Sequence, residues 1–73
     1  MPEEYLIKLA EIISARAKLK YKTNLEFASA CEIDEKSVRR ILKGEQNFSI
    51  NIFYKICIAL DTKMSTLLSE ANM

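Results

Sequence analysis

The stretch "SACEIDEKSVRRILKGEQN", Ser29 to Asn47, decides how this chain is read. Asp34 carries the short acceptor side chain of a helix N-cap, and Gly44, the only glycine, has the freedom of a helix stop. Between them Val38, Ile41 and Leu42 recur at spacings of three and four and so share one helix face. Lys36, Arg39, Arg40 and Lys43 follow i, i+3, i+4, i+7 on the opposite face. The stretch therefore predicts a helix that is aliphatic inside and cationic outside. Glu32 sits in the connection to the preceding helix, where a glycine would be easier to accommodate.

Working outward, apolar spacing and capping residues predict five helices, over residues 3–20, 24–32, 35–43, 49–60 and 63–70. In the first, Leu6, Leu9, Ile13 and Ala17 repeat at three or four residues with Ile12 beside them, Pro2 suits the start, and Glu3 and Glu4 complement the helix dipole. Thr23 caps the second, with Glu26 completing a capping box and Phe27, Ala28 and Cys31 forming its inner stripe. Ser49 caps the fourth, which carries Ile52, Phe53, Ile56, Cys57 and Leu60; Thr62 is the expected cap of the fifth, with Met64, Leu67 and Leu68. Only about three residues join the second and third helices, the connection length of a helix-turn-helix unit.

A chain of 73 residues has room for one small domain, residues 1–73, with a thin core. Hydrophobic residues make up 49% of it, enough to fold, while one Gly and one Pro leave little material for β turns. The fold class expected is all-α, a compact five-helix domain. No apolar run approaches the length of a membrane span, and the acidic start lacks the basic region of a signal peptide, so a cytoplasmic protein is expected. Cys31 and Cys57 are the only cysteines and there is no histidine; two thiols alone cannot complete a tetrahedral zinc site, and no metal or other cofactor is expected. Both thiols fall at apolar helix positions and are read as buried and reduced.

Net charge is only +1, but its distribution is uneven. Residues 13–22 carry +4, from Arg16, Lys18, Lys20 and Lys22, and residues 35–43 carry +3, with a block of −3 between them. On the third helix the cationic face suits duplex DNA. A major groove admits one α-helix, flanked by anionic phosphates, and arginine presents a planar fork to guanine O6 and N7. If the helix enters by its N-terminus, Glu35, Lys36 and Ser37 reach deepest, and Glu35 can accept from cytosine N4. Most basic helix faces are only solvated, so charge alone does not decide. Catalysis is not expected: there is no His, no nucleophile–base pair and no phosphate-cradling glycine loop.

From Thr23 to Leu68 the chain resembles the lambda-repressor-like (Cro-type, XRE) helix-turn-helix family. The resemblance is carried by "TNLEFA", "IDEKSVRRILKGEQNFSI" and "FYKICIALDTKMSTLL", with Phe27-Ala28, Ser37, Val38, Gly44, Ile56, Ala59, Leu60, Leu67 and Leu68 at the characteristic places. "GEQNFSI" is most similar to the small controller proteins of restriction–modification systems. The resemblance implies a transcriptional regulator that binds a pseudo-palindromic operator as a homodimer, with the third helix in the major groove. It assigns Glu35, Lys36, Ser37 and Arg40 to base reading, and Thr23, Asn24, Arg39, Lys43, Gln46 and Asn47 to the DNA backbone. No attached effector domain is evident, so no small-molecule effector is expected.

The chain departs from the family pattern at several places. Glu32 and Asp61 stand where glycines are usual, and Phe48 where a proline is usual. Ala17 and Leu42 occupy positions that often hold an Arg–Glu pair, so an apolar contact is expected there. Ile50, Ile52, Phe53, Tyr54, Ile58, Met64 and Leu67 are more apolar surface than one thin core needs. Of these Ile50, Phe53, Tyr54, Met64 and Leu67 are the candidates for a two-fold dimer contact. The alternative from another class is a protein-interaction module, such as an antitoxin or anti-repressor, that has kept the fold.

Overall fold

Each of the second, third and fourth helices starts where a short polar side chain can take a free backbone N–H. A computed structural model of the protein describes residues 3–71. Over them run α1 (Glu3–Lys20), α2 (Asn24–Cys31), α3 (Glu35–Leu42), α4 (Ile50–Ala59) and α5 (Met64–Glu70), with no strand among the described residues. This is the all-α, five-helix class read from the sequence, with every helix end within one residue of its expected place. The reading of Pro2 lies outside the described residues.

Thr23 Oγ1 accepts from the Glu26 N–H at 3.1 Å, and Glu26 Oε1 accepts in return from the Lys22 N–H at 2.8 Å. The reciprocal cap is thus shifted by one residue from the usual box, in which the carboxylate reaches the N-cap N–H. Asp34 accepts from the Ser37 N–H at 3.0 Å and the Ser37 hydroxyl at 2.8 Å; these bonds hold its carboxyl below the usual aspartate range, with Lys36 adding to the effect. Ser49 Oγ accepts from the Ile52 N–H at 3.3 Å. The Thr62 cap is not found. Lys63 precedes α5 and makes no side-chain cap bond. Thr62 is engaged upstream, where its N–H donates to Cys57 O at 3.0 Å as part of the stop of α4.

The stops of α2, α3 and α4 are one device used three times. After each helix a residue turns left-handed: Glu32 (φ 59°), Gly44 (φ 72°) and Asp61 (φ 54°). The N–H of each left-handed residue returns to the carbonyl three back, and the next N–H returns to the carbonyl five back. The pairs are Glu32–Ser29 with Ile33–Ala28, Gly44–Ile41 with Glu45–Arg40, and Asp61–Ile58 with Thr62–Cys57, all between 2.9 and 3.2 Å. This is the Schellman pattern, which satisfies carbonyls the helix would otherwise leave free.

The core is made by the inner stripes expected from periodicity. Leu9, Ile13 and Ala17 of α1 meet Phe27, Ala28 and Cys31 of α2, Val38 and Ile41 of α3, Phe53, Ile56 and Cys57 of α4, and Leu67 of α5. Leu42 is only half-buried at the margin of this core. Helix α2 packs on α3 and α4, α1 on α3 and α5, and α4 on α5, within extents of 28 × 22 × 20 Å. Tyr21, just past α1, donates its hydroxyl to Ala59 O at 2.6 Å and stacks at a tilt on Phe27, centroids 5.6 Å apart. Arg16 of α1 pairs with Glu70 of α5, its Nε donating to Oε1 at 3.3 Å. Cys31 and Cys57 are free and buried, as read; burial pushes the Cys31 thiol up to about 11 and raises Cys57 as well. No described helix is long and apolar enough to cross a membrane.

Candidate nucleic-acid interface

Helix α3 is fixed from behind and free in front. Val38 and Ile41 are buried in the core, while Lys36, Arg39, Arg40 and Lys43 are all exposed on the other side. Asp34 holds the first turn, and the Gly44 stop holds the last. Two buried aliphatic anchors and two fixed ends leave the helix little freedom to roll, so the cations keep their register on the outer face.

The four residues assigned to base reading do not stand alike. Lys36 and Arg40, four apart on the exposed face, form no ion pair among the described residues. Glu35 is half-buried and sits 3.3 Å from Arg39 in an i, i+4 pair. Such a surface pair is weak, but it steers the Arg39 guanidinium along the helix. Ser37 is half-buried too, and its hydroxyl proton goes to Asp34, leaving only its acceptor lone pairs for a partner. Lys36 and Arg40 are therefore the two readily available groups of the set.

The residues assigned to the DNA backbone divide between separate grooves. Asn24, at the start of α2, lines a cleft with Ser14, Lys18, Leu42, Arg39 and Lys43. That cleft runs on into a second one of about 270 Å³, lined by the same Ser14, Lys18, Asn24 and Leu42 together with Ala17, Tyr21, Lys22, Thr23 and Phe27. Asn47 lies elsewhere, on a groove of about 210 Å³ with Leu6, Phe48, Ile50, Met64 and Leu68. Gln46 is half-buried in the loop before it. Ala17 and Leu42 share the wall of the cleft of about 270 Å³, with no ion pair between α1 and α3 among the described residues.

Lys18 and Lys22 were given no role by the sequence reading. Their signal was the +4 block at residues 13–22, and the structure sorts that block. Arg16 is taken by Glu70, Lys20 stands 6.0 Å from the Tyr21 ring centre, and Lys18 and Lys22 face the cleft.

The dimer candidates need correction. Phe53 and Leu67 are 6% and 0% exposed, so they belong to the protomer core and cannot form a contact between copies. Met64 is half-buried in the apolar groove. Ile50 and Tyr54 are exposed, at 73% and 57%, and Ile58 at 58% continues their row at i, i+4, i+8 along α4. No protein-family model and no curated protein sequence matches the chain.

Proposed function

We propose that the protein is a cytoplasmic, sequence-specific DNA-binding regulator that places α3 in the major groove of its operator, with α2 and α3 acting as a helix-turn-helix pair. The single observation that carries this is α3 itself, anchored by Val38 and Ile41 and presenting Lys36, Arg39, Arg40 and Lys43 outward with both ends capped. An exposed cationic helix of this width fits the groove, and its arginines can fork onto guanine edges. The sequence resemblance to lambda-repressor-like proteins points the same way. In this reading Lys36 and Arg40 contact bases, while Asn24, Arg39 and Lys43 contact phosphates.

A homodimer completes the reading. The row Ile50, Tyr54, Ile58 is a contiguous apolar stripe of the kind that marks an interface. A two-fold contact there would set two copies of α3 about one DNA turn, ~34 Å, apart.

Selection of bound duplexes from a random library, followed by binding across a range of salt, tests this. The expected result is an enriched half-site motif and an affinity that falls steeply with salt through counterion release. Failure to enrich any motif, or binding that ignores salt, refutes it. The exposed α4 stripe is also what a protein-interaction module would display. Such a module would bind its partner with little salt dependence and would leave the library unsorted.

A further inference from the structure

Helix α1, the turn after it and helix α3 bring four cations to two adjoining clefts, and no carboxylate lines either. Lys18 and Lys22 come from the end of α1 and the residues just after it, Arg39 and Lys43 from the end of α3, and Asn24 opens α2 between them. Of the four, only Arg39 has an acidic partner among the described residues; Lys18, Lys22 and Lys43 have none. The floor is apolar, made by Ala17, Phe27 and Leu42. Charges of one sign lining a concave surface raise the local concentration of anions. Like charges gathered this way repel one another, and an anion between them removes that cost.

We propose that these adjoining clefts hold the phosphodiester backbone of DNA, with Lys22 in one, Arg39 and Lys43 in the other, and Lys18 and the neutral Asn24 amide common to both. The inference rests on the DNA-binding reading and extends it to α1, outside the α2–α3 pair. The same basic run supplies its own control. Lys20 lines a different groove, with Tyr21, Glu26, Ser29 and Ala30, and should be indifferent to DNA.

The test uses the full chain, a library-selected duplex and a random duplex, with affinity measured by fluorescence anisotropy across salt. Lys18 and Lys22 are exposed, so the double variant Lys18→Gln/Lys22→Gln should fold as the parent does, which circular dichroism checks. The expected result is weaker binding to both duplexes by the same factor. The slope of log affinity against log salt should fall by about 0.9 for each neutralised charge lost, and the ratio between duplexes should be unchanged. Lys20→Gln should match the parent. A double variant with the parent's slope, while the parent binds DNA steeply, overturns the cleft and leaves the DNA reading standing. A parent with no salt-dependent duplex binding overturns both. Inorganic phosphate, titrated in the same buffer and followed by amide resonances at Lys22 and Asn24, should cause no saturable shift where a short duplex does. Saturation by free phosphate alone would overturn the assignment to DNA.

Discussion

Replacing Glu32 with glycine should make this protein more stable. Glu32 is exposed and left-handed, at φ 59° and ψ 37°, and its carboxylate makes no hydrogen bond or ion pair among the described residues. The substitution therefore removes backbone strain and little else. A left-handed L-residue costs roughly 1–2 kcal/mol, because Cβ crowds the following carbonyl. Glycine is free of that crowding, but its looser unfolded chain takes back about 0.4–1 kcal/mol. A further few tenths come from removing an anion at the negative end of the α2 dipole. The net expectation is a gain of about 1 kcal/mol, which for a domain of this size raises Tm by roughly 4–8 °C. Urea and thermal denaturation of parent and Glu32→Gly measure it directly. Asp61→Gly should gain less, since aspartate tolerates the left-handed region better than glutamate. A neutral or destabilised Glu32→Gly would refute the reasoning, because the unfolded-chain entropy of glycine, the one opposing effect, is smaller than the strain it relieves.

Arg40→Ala should relax sequence preference at one base position and cost roughly 1–3 kcal/mol on the selected duplex, whereas Lys43→Ala should weaken selected and random duplexes alike. Ile50→Asp/Tyr54→Asp should leave the fold intact, both residues being exposed, and shift a micromolar sample from dimer to monomer in sedimentation; an unchanged sedimentation coefficient would remove the α4 stripe from the interface. Cys31 and Cys57 should resist a thiol reagent in the native protein and react at once in urea, since burial disfavours both thiolates. Because the folded Cys31 value of about 11 lies above its ordinary 9.0, its contribution to stability is complete below pH 9.0 and is lost as pH rises toward 11. Stability measured over that window should fall less steeply in Cys31→Ala than in the parent.

The helix limits were legible because caps and stops are local chemistry. Thr23, Asp34 and Ser49 each act within three residues of themselves, and a sequence shows such spacings directly. Thr62 misled for the same reason. It has the side chain of a cap, but the left-handed turn at Asp61 engages its N–H two residues before α5 begins. Phe53 and Leu67 misled differently. Helix α4, "INIFYKICIA", is apolar on more than one face, so periodicity offers both the 53–56–57 stripe and the 50–54–58 stripe without choosing between them. Only packing against α2 and α5 decides which goes inside. The cationic face of α3 was legible because charge and aliphatic residues separate cleanly around one helix. The cleft was not, because Lys18 and Lys43 are brought together by the fold and by no local spacing.

The position of the single glycine connects these observations. Three helices end in left-handed residues, and two of them manage with Glu and Asp. At Gly44 a Cβ would stand 3.3 Å from Ile7 Cα and 3.2 Å from Ile7 Cγ1, so this stop also presses against the backbone of α1. A side chain there meets a tight approach to Ile7 as well as a left-handed φ. The contact pins the end of α3 to α1, and Lys43, the residue before it, faces Lys18 of α1 across the cleft. Gly44→Ala should therefore do two things at once. It should destabilise the fold by more than the roughly 1–2 kcal/mol of left-handed strain, since Ile7 must also give way. In the fraction that stays folded, it should shift the end of α3 away from α1 and weaken selected and random duplexes together, as loss of a phosphate grip would. Loss of stability with DNA affinity and salt slope unchanged per folded molecule would separate the two roles and show that the α1–α3 junction does not position the cations.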